Sequence, residues 1–458
     1  MSAVTGNAVL VGVDFGTTAC KAGVVALDGG ELAHGRAPTP WRRTDTGAEI
    51  APQALVDTAL EAIDQALDRA GDGQVLALGV TSMAETGVLL GGDGQPVAPA
   101  IAWHDSRGGY EAHRIATELG AETFTAHTGL PVRPLCSASK YLWLRGHHDP
   151  AVAGRRWLGV AEWIVHRLGG EQAAELSLAS RTGWLDLSTR TWWDESLALC
   201  DAPPGFLPEL VQAGTRLGEV AGHPRLAGAA LTVAGHDHLC GAVGVGALAP
   251  DAVYDSCGTA EAFVSQLPPP AGADQVARLV AAGITVGWHV IPDRHALLGA
   301  LRAGLGLQRF LDLLGVARGG RSALDAAALA APAGTDGLRV VDFESAHAAL
   351  HGIGQAPSPG MVWRAALEAA AERAAEIVRH MGAGDGRLVV AGGWARSEAF
   401  RAVKRAHLGP FHHVDDVVEA GVRGAALLAG LAAGVFDSLD DLPTPPDGGQ
   451  RAAQGRSA

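Results

Sequence analysis

Cysteine is scarce and unpatterned in this chain. The five that occur, Cys20, Cys136, Cys200, Cys240 and Cys257, are an odd number without CxxC spacing, so neither a disulfide framework nor a zinc site is supported. Long uninterrupted apolar runs are missing too, although 48% of the 458 residues are hydrophobic. No membrane span is expected, and the length suffices for two soluble domains with a core each. Positive charge is in deficit: 35 Lys and Arg against 49 Asp and Glu give a formal charge of −14, and basic residues stand singly apart from pairs such as Arg42-Arg43 and Arg155-Arg156. This balance argues against a nucleic-acid partner held through its phosphates and favours small molecules. The start lacks a basic stretch followed by an apolar segment, so a cytoplasmic, reducing setting is the default expectation. The sequence leaves room for a homodimer without calling for one.

Strand-like and helix-like segments alternate throughout, which is the pattern of an α/β fold. "AVLVGVD" and "KAGVVAL" read as strands joined by a bend at Gly16, and "GVLLGGDGQPV" reads as a hairpin because its glycines supply positive-φ positions. Helices are expected near 53–70, 109–119 and 137–146. "ALTVAG" at 230–235 reads as a strand that passes into "HDHLCGAVGVGAL", a strand, a turn and a small-residue helix. The strongest helix is 361–381, where Val362, Ala366, Ala370, Ala374 and Ile377 form one stripe. It feeds the strand "RLVVAGG" and a further helix from about 395. The stretch 439–458 is rich in Pro, Gly and polar residues and reads as a disordered tail.

Two bends carry chemistry. "VGVDFGTTACKAGVV" (11–25) and "VYDSCGTAEAFV" (253–264) each place Gly and Thr between apolar strands. Glycine lets backbone N–H groups approach an anion, threonine hydroxyls add donors, and an Asp can hold hydrated Mg²⁺. One such bend is as readily a plain turn. Two of them, facing each other across a cleft, would grip a polyphosphate from both sides. A third string, "AGHDHLC", offers a carboxylate, Asp237, flanked by His236 and His238. On a strand only the two histidines would share a face, which disfavours a metal site there.

The strings "VGVDFGTTACK", "SMAETGVLL", "PAIAWHDSR", "TGLPVRPLCSASKYLWL", "SRTGWLDLSTRTWW", "AGHDHLCGAVGVG", "DSCGTAEAF", "LRAGLGLQRFL" and "VVAGGWARSEAF" run in the order found in the FGGY carbohydrate kinases, which the chain resembles from about residue 9 to 435. The resemblance implies two actin-like (ribonuclease H-like) α/β domains, 1–244 and 245–438, with a nucleotide and sugar cleft between them. It implies ATP and Mg²⁺, and transfer of phosphate to a neutral sugar or polyol. By the same resemblance Asp237 is the catalytic base, Asp14 lies near the metal, and Gly16, Thr17, Thr18 and Lys21 meet the nucleotide phosphates. Gly258 and Thr259 form the second cradle, Gly304 and Gln308 approach the nucleotide, and Gly392, Gly393 and Ser397 line the adenosine side. Trp394 stands where the family has a small residue, either as a surface for adenine or as a gap filler. The sugar side would be Ala84, Glu85, Trp103, Asp105, Asp237 and His238. Lys140 matches a lysine at a helix start, structural or catalytic, and Leu135 replaces an aromatic found in some relatives. Two other readings were weighed on the same residues: a non-catalytic ATP-binding protein of the actin or chaperone type, and a metal-dependent hydrolase, which leaves both bends unexplained.

Overall fold

The first apolar run becomes β1 (Ala8–Phe15), followed by β2 (Ala19–Ala26) and β3 (Glu31–Pro38). β1 and β2 are buried almost without interruption because both faces of their sheet are covered. A computed structural model describes residues 7–45, 47–317, 320–354, 357–382 and 386–445. Helix α1 (Pro52–Ala70) covers one face of this sheet with Leu55, Ala59, Ala62, Ile63 and Ala66, and starts with proline at its first position, where no N–H is missed. β4 (Gln74–Ser82) pairs parallel to β1, and β5 (Ala230–His236) parallel to β4, giving the order β5-β4-β1-β2-β3. Between them lie α2 (Ser137–His147) and α3 (Val160–Arg167), and α4 (Asp237–Gly244) follows β5 directly.

The plan then repeats. β6 (Val253–Cys257) and β7 (Glu261–Leu267) form the second hairpin, and β8 (Thr285–Trp288) and β9 (His295–Leu301) extend it on the β7 side. After α5 (Ala303–Leu313), α6 (Arg321–Ala330) and α7 (Pro359–His380), β10 (Leu388–Ala391) pairs parallel to β6. Helix α8 (Glu398–Leu408) and β11 (His412–His413) complete the second sheet, of order β8-β9-β7-β6-β10-β11. Each sheet is thus an antiparallel hairpin flanked by two parallel strands on one side and, on the other, by one further antiparallel strand in the first sheet and two in the second.

The last helix, α9 (Ala420–Ala432), returns to the first sheet. It approaches so closely that a methyl group at Gly12 of β1 would overlap the Val422 carbonyl oxygen. With α4 it forms a layer whose apolar residues, among them Leu239, Val243, Leu427 and Leu428, pack with Tyr254, Val264 and Val389 of the second sheet. Arg423, buried to 1% exposure, ties this layer together by donating to the carbonyls of Gly29, Gly244 and Pro443 at 2.9, 2.5 and 2.8 Å.

Several sequence expectations are corrected. The hairpin expected over 87–97 is present but short, with Leu90 and Pro96 bridged antiparallel and Gly91 N and Val97 N donating to Gln95 O and Leu89 O; the longer partner of Gly87–Leu90 is Arg156–Gly159. The helix expected at 109–119 is α-helical over Gly109–Ile115 and a π-turn over Ala116–Gly120. The tail does not begin at 439: Leu439–Asp441 form a 3₁₀ turn and Leu442 is buried, while 446–458 lie outside the described residues. No described helix is long and apolar enough to cross a membrane.

Candidate active site

The first bend is braced by its carbonyls. Thr39 Oγ1 donates to Gly16 O at 2.8 Å, Trp41 Nε1 to Thr17 O at 2.7 Å, and Thr39 N to Thr18 O at 3.1 Å. The amides of Thr17 and Thr18 have no protein acceptor among the described residues. A turn whose carbonyls are taken while the Thr17 and Thr18 amides are free is prepared for an anion. Trp103 belongs to this brace: its Nε1 donates to Thr17 Oγ1 at 2.8 Å, and its ring meets His104 edge-on.

Asp14 lies at the base of the bend, paired across the hairpin with Lys21. Its Oδ1 is buried without a hydrogen-bond partner. Burial, then the negative charge of Asp237, push its carboxyl up to about 7. Lys21 contacts Glu419 at 2.7 Å, just before α9, so one of its three donors is engaged. At Gly421 a methyl group would come within 2.8 Å of Asp14 Oδ2, so the start of α9 closes this corner.

Asp237 is not on a strand, as the "HDH" reading expected; it opens α4. The ladder ends because side chains capture the backbone there: His236 N donates to Ser177 Oγ at 2.9 Å, and Thr81 Oγ1 to Gly235 O at 2.5 Å. Asp237 Oδ1 accepts from His238 N at 2.7 Å and lies 3.2 Å from His236 Nε2. Oδ2 has no hydrogen-bond partner among the described residues. The His236 imidazole is pushed down to about 3 by burial and is therefore neutral. Ser177 is in turn held by Glu175, whose Oε2 accepts from Ser177 N and Oγ and from Leu178 N.

Glu85 sits in the left-handed region at φ 64°, unusual for a non-glycine residue and typical of functional positions. Burial raises its carboxyl pKa, opposed by Arg181, and the charges of Asp237 and His238 reach it. Arg181 Nε donates to Glu85 Oε1 at 2.9 Å. Ala84 lies beside it, buried, in the wall of a cavity of about 20 Å³. Asp105 is corrected as a sugar acceptor. Its oxygens accept from Arg107 N, Nε and Nη2 and from Ala48 N, and its side chain is 0% exposed. Lys140 is structural: its ammonium donates to the carbonyls of Asp105 and Arg107, and burial pushes it down to about 8.

The second bend rests on α5. Thr259 O accepts from Leu305 N at 3.1 Å, and a methyl at Gly304 would come within 2.7 Å of Thr259 O and of Trp394 Nε1. Gly304 therefore seats the bend. Gly392, at φ 113°, packs on Cys257, and Gly393 is open to solvent. Behind the bend Lys404 is buried between Asp255 and Glu261 and points along the faces of Phe263 and Phe400. Gln308 is exposed and donates to Asp312 at 2.8 Å. Ser397 caps α8 through Phe400 N, its hydroxyl donates to Asp325 Oδ2 at 2.8 Å, and the two residues share the wall of a pocket of about 420 Å³. Trp394, half-buried, lies beside Trp363 with the Arg321 guanidinium 5.2 Å from its ring centroid.

Sequence reasoning missed Arg181, Glu419, Lys404 and the orienting place of His236. Arg181 was in view within "ASRTGW", but its partners, Glu85 and Thr285, are 96 and 104 positions away.

Residues 9–244 match the N-terminal domain of the FGGY family of carbohydrate kinases. Over 96% of its length the chain is 30% identical to a glycerol kinase of Bordetella parapertussis, 91% of which is covered. In fold it is similar to a ligand-bound xylulose kinase of Lactobacillus acidophilus (TM-score 0.85, 20% identity, 95% and 91% of the two chains) and to the Plasmodium falciparum glycerol kinase with ADP (0.83, 19%, 96% and 93%). Two duplicated sheets, each with a Gly-Thr bend, and that match together mean that the chain belongs to the FGGY carbohydrate kinases, phosphotransferases with an alcohol group as acceptor, built as two actin-like domains.

Proposed function

We propose that the protein transfers the γ-phosphoryl group of ATP to a hydroxyl of a neutral sugar or small polyol, with Asp237 as general base. The observation that carries this is the state of the Asp237 carboxylate: one oxygen is pinned by the His238 amide at 2.7 Å, and the other is unpartnered. As the acceptor oxygen forms its bond to phosphorus and the bond from phosphorus to the ADP oxygen breaks, the hydroxyl proton passes to Asp237 Oδ2. Neutral His236 keeps the carboxylate oriented without supplying a competing positive charge.

The phosphates would lie between the amides of Thr17 and Thr18, with the Thr18 hydroxyl, and the second cradle at Gly258 and Thr259, with Lys21 and Gly16 at the first hairpin's end. The adenosine end would lie along Gly392, Gly393 and the Gln308 side of α5. Mg²⁺ fits this donor set, because Asp14 presents a buried, unpartnered oxygen near a second carboxylate. Asp14 would hold it, and bound there it would neutralise charge on the phosphates. Glu85, Trp103 and His238 would border the acceptor.

The test is ADP release with ATP and Mg²⁺ across ketoses, aldoses, polyols and sugar acids. Asp237→Asn should lower kcat by about 10³-fold while ATP binding, measured by calorimetry, stays; transfer at near wild-type rate would remove Asp237 from the mechanism.

A further inference from the structure

Glu85 and Arg181 form an ion pair in which each partner is only partly used. Glu85 Oε1 accepts from Nε at 2.9 Å and lies 2.8 Å from Nη2, with side chains 7% and 14% exposed. Glu85 Oε2 has no hydrogen-bond partner among the described residues. Arg181 Nη1 reaches across to the second sheet and donates to Thr285 Oγ1 at 2.8 Å. A guanidinium has five N–H donors, so donors remain on both Nη atoms after these two hydrogen bonds. Beside it runs a seam between the halves of the molecule, where Val286 N donates to Gly129 O at 3.0 Å and Trp288 N to Ser180 Oγ at 2.8 Å.

The pair, within electrostatic reach of Asp237 and His238, therefore offers a free strong acceptor next to free strong donors, with no net charge of its own. A hydroxyl is both donor and acceptor. Two adjacent hydroxyls match this pair: one donates to Glu85 Oε2, and its neighbour accepts from an Arg181 N–H. A lone hydroxyl satisfies half of it and leaves the other polar group without a partner. A carboxylate meets a guanidinium that is already neutralised, within reach of the Asp237 charge.

We propose that Arg181 is a specificity-determining residue of the acceptor pocket, pairing with Glu85 to select two adjacent hydroxyls of an uncharged polyol or sugar, and anchored for that task to the second sheet through Thr285. This rests on the kinase reading above. It assigns the choice of acceptor to an arginine on the loop after Ala179 and to its bond across the seam.

The full-length protein is assayed with ATP and Mg²⁺ on glycerol, 1,3-propanediol, D-xylulose and D-gluconate, with a thermal melt and ATP KM for every variant. The wild type should favour glycerol or D-xylulose over both 1,3-propanediol and D-gluconate by about 100-fold in kcat/KM. Arg181→Met should erase most of the preference for the adjacent diol, raising the acceptor KM while the ATP KM stays within about twofold, and Arg181→Lys should rescue only part, since a point charge cannot fork between two partners. Glu85→Gln frees the guanidinium's charge and should raise the D-gluconate to neutral-acceptor ratio about tenfold. If Arg181→Met fails to fold, Glu85→Gln alone decides. Turnover with both ratios unmoved in folded variants overturns the role of Arg181 and leaves the kinase reading standing. ATP binding without turnover of any acceptor by the wild type overturns the kinase reading and this inference with it.

Discussion

Asp105 and Glu85 are both buried carboxylates facing an arginine, and they end in different roles. At Asp105 both oxygens are filled by Arg107 and the Ala48 amide; at Glu85 one oxygen is left. Burial pushes the Asp105 carboxyl up, but the Arg107 hydrogen bonds outweigh it and hold it below the usual carboxylate range. Asp105→Asn should therefore destabilise the fold by about 3 kcal/mol in urea denaturation while leaving the acceptor KM close to wild type. The sequence marked both positions as sugar contacts, since a carboxylate in a pocket string looks alike whether or not its lone pairs are filled. Glu175 gives a pH signature. Burial raises it from 4.5 to about 7. Between those values the native state keeps a proton that the unfolded chain has released, so the contribution of Glu175 to stability is full below about 4.5 and is lost as pH rises through 7. Glu175→Gln, which stays neutral, should flatten that part of the slope when urea midpoints are compared from pH 5 to 8.

At the scale of elements, the two bends and the strands around them were legible because each is written locally: a run of apolar residues, a Gly-Thr turn, another run. Helices α1, α2 and α7 were legible for the same reason, with ends within two residues of expectation. What escaped is set by partners distant in sequence. The start of α4 at Asp237 depends on Ser177 and Thr81, and the pairing of Gly87–Leu90 depends on Arg156–Gly159. The second bend shows how one element seats another. Since a methyl group at Gly304 would collide with the carbonyls of Gly258 and Thr259, Gly304→Ala should displace the bend and raise the ATP KM about tenfold or more, with the acceptor KM unchanged. Equal effects on both substrates would mean that the helix as a whole had shifted.

For the whole molecule, the division into two stretches of sequence is less clean than the two sheets suggest, because α9 crosses back. Its attachment is concentrated in Arg423, which satisfies three carbonyls from three segments. Arg423→Met would leave them without a donor, and the expected loss is about 3 kcal/mol by chemical denaturation, with kcat/KM at low temperature near wild type. A change confined to the second half, leaving the first sheet's amides protected in hydrogen exchange, would contradict this account.

The return of α9 also imposes an order on biosynthesis. β5 is made by residue 236, but the helix that covers its sheet begins at Ala420. At ~5–20 residues per second the ribosome needs roughly 10 to 40 s to cross that interval. During it the sheet built around Gly12 and Gly79 lacks the helix that covers one of its faces, so that face is completed only when residues 420–432 arrive.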